Sequence, residues 1–322
     1  MNTASSSFSL ELTGLKPNTK YYYRTYAKVS GTGTYASQME TFTGTVKSFT
    51  TLAQETADPA VDEDWLELPG KVNGYEAKTV VSGGERNYTH VYDAVNHVSL
   101  WTAYPLEARH MGSYNRPDDW SYNPLYPDSD QPNLCSKSYK DSDTWVRGHL
   151  IPNASRNGIR DMQLQTFYVT NSAPQVDNGF NNGIWSSLEG ALQSLAQKEC
   201  IYIVTGVAFN KAGSYNENLS VSVTYAKDAS ADGQTKKCPV PNYFYKVVLR
   251  VKTSGSSVTS ASAVGFWFEN RVYSGTSYSS CAVSVDQIEQ WTGFDFFVNL
   301  PDSIEAVAES NTSWSTFSGT LN

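Results

Sequence analysis

The side chains best suited to chemistry stand together in Arg147-Gly148-His149. A neutral imidazole, whose ordinary pKa is about 6.5, can take a proton from water near neutral pH. The guanidinium fork of Arg147 offers fixed donors that match two oxygens of a phosphate group. Gly148 has no Cβ, so we expect it to leave room for a phosphate beside the chain. The triplet indicates base-assisted hydrolysis of a phosphate ester, although a lone histidine is more often structural.

Two further blocks, residues 166–175 and 180–189, follow the triplet in the chain. Asn181 offers an amide oxygen, a hard ligand that Mg²⁺ accepts beside several waters. Glu189 lies eight residues later, about 80° around a helix axis from Asn181. It would border the apolar face of that helix, where a carboxylate can orient water at a metal, whereas the alternative is an ordinary surface glutamate. The buried face of this helix is predicted to carry Trp185, Leu188, Leu192 and Leu195.

The three blocks occur in one order and at compatible spacing, and in this the chain resembles the DNA/RNA non-specific endonuclease family with its ββα-metal active site. The resemblance covers essentially residues 65–322. It implies hydrolysis of DNA and RNA to 5′-phosphate and 3′-hydroxyl ends without sequence preference, because phosphate contacts carry little base information.

The resemblance also assigns roles to individual residues. His149 is the expected general base, and Asn181 is the expected ligand of Mg²⁺, with Mn²⁺ or another divalent cation as alternatives. Arg116 corresponds to the arginine that contacts the substrate and, with Arg147, is expected to clamp phosphate. For these arginines the alternative is an ordinary surface ion pair. Two more residues are expected to hold the strand and loop of the site by hydrogen bonds, namely Asn171 and Gln175.

Two departures from the family pattern limit the inference. Val146 stands where the family commonly has an aspartate before the triplet, and Gln193 stands where some members have an arginine. Both keep open an alternative function, in which the protein has the nuclease scaffold but is catalytically weak or inactive and binds nucleic acid or a surface. A third interpretation is an adhesion or glycan-binding protein led by the N-terminal residues, which predicts that deleting residues 1–53 abolishes its main activity.

Composition is typical of an exported, strand-rich protein, with 39% hydrophobic residues, 17% charged residues and 21 tyrosines in 322 residues. The net charge of −8 argues against broad adhesion to nucleic acid, so basic groups must be concentrated locally. Five of nine arginines do fall between positions 109 and 160. We find no apolar run long enough to span a bilayer and no signal peptide, and we expect an export signal to have been removed.

The four cysteines are far apart and form no Cys-x-x-Cys pair, which argues against a zinc site. One or two disulfides are expected if the protein is exported, and the three complete pairings remain open. The oligomeric state also remains open. The cysteines concerned are Cys135, Cys200, Cys238 and Cys281.

Three regions follow from the pattern along the chain. Residues 1–53 resemble a partial fibronectin type III module, an incomplete all-β sandwich whose last strands would lie at 22–28 and 46–51. Residues 54–64 are acidic and form a predicted linker. Residues 65–322 predict a mixed α/β domain, α+β-like, with a largely antiparallel central sheet, packed helices and the ββα-metal site. Its predicted elements are strands at 97–104, 167–170, 200–209, 243–251 and 263–269 and a helix at 184–196.

Overall fold

The structure is a computed structural model that describes residues 12, 15, 19–29, 40–50, 65–140, 144–214, 223–230 and 236–321. The chain divides into two compact units, residues 1–57 and residues 58–322. None of the described helices is long and apolar enough to cross a membrane.

The described part of the first unit contains two antiparallel strand pairs. Its strands are β1 (Lys20–Tyr23), β2 (Tyr26–Val29), β3 (Glu40–Thr43) and β4 (Lys47–Thr50). Strand β1 pairs with β4, and β2 pairs with β3. The single strand predicted at 22–28 is therefore wrong. The extended segment is interrupted at Arg24 and Thr25, and the strands before and after this point pair with different strands. Half of the fibronectin-like segment, residues 12–21, lies outside the described residues.

The described part of the second unit is built around one large sheet. Its strands are β5 (Ala77–Ser82), β6 (Glu85–Asp93), β7 (Val98–Leu106), β8 (Trp145–His149), β9 (Ser172–Val176), β10 (Asn178–Gly179), β11 (Asn182–Gly183), β12 (Ile201–Ala208), β13 (Tyr225–Lys227), β14 (Lys237–Pro239), β15 (Tyr243–Ser254), β16 (Ser257–Glu269) and β17 (Ala282–Val283). Its helices are α1 (Arg160–Gln165), α2 (Ile184–Ala196), α3 (Val285–Thr292), α4 (Asp302–Glu309) and α5 (Trp314–Ser318).

Seven of these strands form one sheet in the order β17-β16-β15-β12-β7-β6-β5. Every neighbouring pair in it is antiparallel. The central strands β12 and β15 are buried on both faces over most of their length, which explains their continuous apolar runs. The mixed α/β class with a largely antiparallel central sheet is confirmed. The predicted strands at 97–104, 200–209, 243–251 and 263–269 and the helix at 184–196 all exist.

The predicted strand at 167–170 is wrong. Residues Val169–Asn171 form a 3₁₀ turn, and Phe167 and Val169 are buried in a small separate core. Their alternating apolar pattern comes from packing in that core and not from strand pairing. The core is completed by Trp120, Leu134, Tyr139, Ala226, Cys238 and Val240.

The expected disulfides are also not formed, since all four cysteines are free thiols. Cys238 is buried in the small core, and the other three are half-buried. Burial raises the pKa of Cys135 and Cys200 to about 11 and that of Cys238 to about 12. These side chains therefore remain protonated and serve as apolar packing groups.

Candidate active site

The site is built on a hairpin separate from the large sheet. Strands β8 and β9 pair antiparallel, with Gly148 opposite Ala173 and His149 opposite Ser172. The chain then makes a short loop and enters α2, which gives the order strand, strand, helix. Helix α2 begins at Ile184, so Asn181 precedes it and the helical angle of about 80° between Asn181 and Glu189 does not apply.

Asn171 fixes the chain where it leaves the hairpin. Its side-chain amide donates to the carbonyls of Ile151 (3.0 Å) and Thr166 (2.8 Å). Its side-chain oxygen accepts from the amide of Ile151 (3.1 Å), and its carbonyl accepts from the amide of Leu150 (2.9 Å). Asn171 therefore determines the path of the two residues that follow His149.

The imidazole of His149 packs against two aromatic rings that also contact each other, and it is only 9% exposed. Its ring centroid lies 4.7 Å from that of Trp120 and 5.0 Å from that of Phe167. Its Nε2 is buried without a hydrogen-bond partner. Burial, followed by the charges of Arg116 and Arg147, lowers the pKa of His149 to about 3. The ring is therefore neutral at pH 7, as a proton acceptor must be.

Two arginine guanidinium groups lie over the aromatic rings that contact His149. The Arg147 guanidinium lies 4.4 Å over the ring of Trp120, and that of Arg116 lies 5.0 Å over the ring of Phe167. Arg147 is half-buried and donates to the carbonyl of Leu134 (2.6 Å). Arg116 is exposed and pairs loosely with Asp118 at 3.3 Å. Two cations therefore stand beside the base, with donors left for an anion.

The remaining arginines of the 109–160 stretch have other tasks. Arg156 is fully buried, and its guanidinium donates to the Asn87 side chain (2.6 Å) and to the carbonyls of Asn87 and Pro105. Arg109 is paired with carboxylates of the β6 and β7 region, Glu85 and Glu107. Arg156 and Arg109 are thus engaged in contacts within the protein. Sequence proximity does not distinguish a buried structural guanidinium from an open one.

Gly148 has a different purpose from the one predicted. A Cβ at this position would lie 2.3 Å from Oε1 and 2.6 Å from Cβ of Gln175. The space over the glycine is therefore filled by the cross-strand side chain of Gln175, not left open for a phosphate. Gln175 itself is fully buried, and neither of its amide atoms has a hydrogen-bond partner. The expected hydrogen bonds from Gln175 are thus not made in this structure.

Asn181 lies in the loop between β10 and β11 and is half-buried. Its backbone amide donates to the carbonyl of Val176 (3.0 Å), the last residue of β9. This bond ties the loop to the end of the hairpin that carries His149. Within the described part of the chain, no group hydrogen-bonds the side-chain amide of Asn181, so its oxygen is free to bind a cation.

Glu189 lies on α2 with its side chain 15% exposed and 3.7 Å from the Nζ of Lys246. Lys246 is fully buried in the central strand β15 and also donates to Thr205 Oγ1 (2.8 Å) and the carbonyl of Leu150 (3.5 Å). Its ammonium lies 4.4 Å over the ring of Trp185. One buried cation thus contacts both the Glu189 carboxylate and the residue after His149.

The sequence predicts a strand at 243–251 but assigns Lys246 no role. The available signal was a lysine inside the apolar, largely buried run at 243–249 of this strand, a position that demands a partner. Burial lowers the pKa of Lys246, while the nearby Glu189 carboxylate opposes that shift. Burial likewise raises the pKa of Glu189, and Lys246 opposes it.

The two departures from the family pattern have clear locations. Val146 is half-buried and stands opposite Gln175 in the β8–β9 pair. Gln193 lies one turn beyond Glu189 and donates to Ser155 Oγ (3.3 Å). Gln193 lines a shallow groove whose other lining residues are also uncharged, namely Met111, Gly112, Ala154, Asn157, Gly190, Ser194 and Gln197.

The hairpin with its histidine and the following helix define the ββα-metal nuclease fold. A solved structure of EndoG in complex with EndoGI shares this fold, with a TM-score of 0.55 at 22% identity, over 74% of this chain and 90% of that one. The profile of the DNA/RNA non-specific endonucleases matches residues 70–303. The chain belongs to that family, whose members depend on divalent metal ions.

Named relatives are similar at low identity. The nuclease of Syncephalastrum racemosum is 31% identical over 182 residues, 55% of this chain and 55% of the relative. The mitochondrial nuclease 1 of Schizosaccharomyces pombe is 26% identical over 218 residues, 66% of this chain and 65% of the relative. The nuclease of Serratia marcescens is 24% identical over 243 residues, 71% and 82%. The matched part of the chain thus spans between half and two thirds of the length of the first two relatives.

Proposed function

We propose that this protein is a metal-dependent endonuclease that hydrolyses phosphodiester bonds of DNA and RNA without sequence preference, leaving 5′-phosphate and 3′-hydroxyl ends. The observation that carries the proposal is the neutral, buried imidazole of His149, packed against two aromatic rings that each have an arginine guanidinium over them. Such a group combines a proton acceptor with the positive charge that a phosphate requires.

His149 serves as the general base. Its Nε2 is buried against Trp120 and Phe167 without a hydrogen-bond partner, a setting in which a bound proton can face an aromatic ring. Nδ1 is then the nitrogen with a free lone pair, and it takes the proton from the attacking water. Asn171 keeps the residues that follow His149 in place, so the imidazole does not have to be ordered during the reaction.

Arg147 and Arg116 bind the phosphate beside the base. Their guanidinium groups donate to the non-bridging oxygens, where negative charge grows in the transition state. Arg147 is positioned by its bond to Leu134 and its stacking on Trp120, so little conformational freedom is lost on binding. Arg116 is exposed, so it contributes mainly to binding the backbone of the substrate.

The donor set near α2 fits a hard divalent cation, Mg²⁺ in the first instance, with Mn²⁺ as an alternative. The free amide oxygen of Asn181 would hold the ion, and Glu189, whose Oε1 is buried without a hydrogen bond, would orient water beside it. When bound, the ion neutralises charge on the phosphate and on the leaving oxygen. Lys246 contacts the Glu189 carboxylate and also donates to the carbonyl of Leu150, the residue after His149, so it links Glu189 to the end of the hairpin.

Substrate recognition through the backbone explains why both nucleic acids are proposed as substrates. The arginines and the cation meet phosphate groups, which DNA and RNA share, and such contacts do not distinguish bases. The proposal includes export of the protein, for which the sequence composition is the support.

Digestion of supercoiled plasmid DNA and of RNA tests the proposal directly. His149→Asn should abolish cleavage of both, and a chelator should abolish cleavage by the wild type. The matched control is His97→Asn, because His97 lies outside the site at a φ of 57°, a conformation that asparagine tolerates well. Robust cleavage by His149→Asn would contradict the mechanism. Nucleic-acid binding without turnover in any divalent metal would instead favour the inactive-scaffold alternative.

A further inference from the structure

A second group of oxygen ligands lies on the C-terminal helices, which no step of the proposed reaction uses. Asp286 and Glu289 lie three residues apart on α3, and Glu309 is the last residue of α4. One carboxylate oxygen from each of the three lies within 4.8 Å of the others. Both helices contact β16, so the group joins two elements that pack on the same strand of the sheet.

Glu309 distinguishes this group from an ordinary acidic surface. It is 5% exposed, and its Oε1 is buried with no hydrogen-bond partner. A buried carboxylate normally receives donors or a cation, because losing its hydration is costly. Glu289 has one donor, the backbone amide of Phe296 (2.7 Å), whereas a carboxylate oxygen of Glu309 lies within 4.8 Å of those of Asp286 and Glu289.

The charges that shift the pKa of Glu309 are all of one sign. Burial, and then Glu289, Glu305, Asp286 and Asp295, raise the pKa of Glu309 to about 9. The ion pairs of the described residues include none that reaches Asp286, Glu289 or Glu309. The positive charge that would balance these carboxylates is therefore not supplied by a lysine or an arginine.

We propose that Asp286, Glu289 and Glu309 bind a divalent cation of the calcium type, at a structural site distinct from the one at Asn181. Ca²⁺ binds carboxylate oxygens at about 2.3–2.6 Å, so ligands on opposite sides of one ion are separated by roughly 5 Å. Three oxygens within 4.8 Å of one another satisfy this limit. Mg²⁺ demands near-octahedral geometry and is usually held by one or two carboxylates, whereas Ca²⁺ accepts several in flexible geometry, so three carboxylates favour Ca²⁺.

The bound ion would fasten the C-terminal end of α4 to the side of α3. Exposed Asp286 leaves one side of the site open to solvent, where waters would complete the coordination of the ion. Because none of the three residues belongs to the hairpin or to α2, the effect of the ion should be on stability and not on the chemistry of cleavage.

The test uses the full chain after treatment with a chelator, with Ca²⁺ as the probe. In an Asn181→Ala background, we expect calorimetric titration to show one bound Ca²⁺ and thermal unfolding to move to higher temperature. Adding Glu309→Gln should remove both effects. Glu305→Gln is the matched control, since it removes a neighbouring charge but no ligand and should leave both effects in place.

A second variant covers the case in which Glu309→Gln does not fold. Asp286 is exposed, so Asp286→Asn should fold normally and should weaken Ca²⁺ binding about tenfold or more, because ligand charge sets the affinity of such sites. An unchanged Ca²⁺ response in Glu309→Gln or Asp286→Asn would overturn the proposal. So would a chelator-treated wild type that is insensitive to Ca²⁺ and less stable than Glu309→Gln, which would identify a protonated carboxyl cluster instead.

Discussion

Lys246 and Glu189 form an ion pair across 3.7 Å between the centre of the large sheet and helix α2. The lysine has no exposed surface, so water cannot take the place of its partner. The pair therefore connects the rigid interior of the domain to the carboxylate proposed to act beside the metal. Substituting each residue alone and both together therefore measures the energetic coupling between Lys246 and Glu189.

Replacing Lys246 by methionine should destabilise the protein by about 3–5 kcal/mol, because it leaves the Glu189 carboxylate buried without its partner. Glu189→Gln in the same chain should recover part of this loss, since no charge then remains buried. Urea unfolding of the two single variants and the double variant measures the coupling. Additive losses in the double variant would show that the two side chains do not depend on one another.

The pH dependence of cleavage should reflect the buried setting of His149. Burial and the two arginines lower its pKa to about 3, so kcat/KM should stay flat as the pH falls through about 6.5, where a free histidine titrates. The pH profile of kcat/KM, restricted to the range in which circular dichroism shows a folded protein, provides the measurement. An acidic limb centred near the ordinary histidine pKa would contradict the expectation.

The same shift affects stability, and its sign is fixed. The unfolded chain binds a proton at His149 below a pH of about 6.5, whereas the folded chain does so only near 3. The contribution of His149 to stability is therefore fully present above about 6.5 and is lost as the pH falls toward 3. His149→Asn should be less sensitive to acid than the wild type in urea unfolding at successive pH values.

Gly148→Ala should destabilise the hairpin by about 1–3 kcal/mol, because the new Cβ would collide with Gln175 and force it to move. Gly190→Ala is the matched control, since a Cβ there meets nothing within 4 Å and the residue lies inside α2. That change should stabilise the protein by about 0.5–1 kcal/mol through helix propensity. Chemical unfolding of both variants decides, and equal effects would rule out the steric explanation.

Val146→Asp should raise the rate of cleavage. Val146 stands opposite Gln175, whose buried side-chain amide lacks an acceptor, so an aspartate there could accept from it and help order water at the metal. We expect an increase of about tenfold in kcat, the lower end of effects seen for groups around a metal site. Val146→Asn, of equal size but uncharged, is the control. A rate equal to that of the asparagine variant would mean that the charge has no role.

Arg116 and Arg156 should respond to substitution in opposite ways. Arg116→Ala should raise KM and reduce the slope of log affinity against log salt by about 0.9 for DNA, without loss of stability. Arg156→Lys should leave that slope unchanged but cost about 2 kcal/mol or more of stability, because it loses bonds to Asn87 and Pro105. Binding and unfolding measurements on both variants separate the two roles, and a change in salt slope for Arg156→Lys would refute its structural assignment.

The sequence was most informative where local pattern and tertiary packing agree. Helix α2 begins at Ile184 and ends at Ala196 as predicted, because its apolar spacing matches the face that it buries. Strands β12 and β15 follow from apolar runs that only a fully covered sheet can contain. The local pattern failed at Phe167 and Val169, whose burial is created by the small core around Trp120 and not by pairing.

The parts of the site that could not be predicted depend on residues distant in the chain. The purpose of Gly148 becomes visible only when Gln175 is placed across the hairpin from it. Lys246 acquires a role only because β15 passes beneath α2 and brings it to Glu189. The aromatic rings that lower the pKa of His149 come from two separate loops, and nothing in the triplet itself indicates them.

The four free cysteines determine how the folded protein responds to reductants and oxidants. Its thiols are unpaired and at least half-buried, and their pKa values are raised by burial, so neither reductants nor mild oxidants act on a bond that supports the fold. Cohesion comes from the sheet, its aromatic packing and buried polar contacts such as Lys246–Glu189, without a covalent cross-link. The folded state should therefore be indifferent to redox conditions, and a reducing agent would not serve as a switch for its activity.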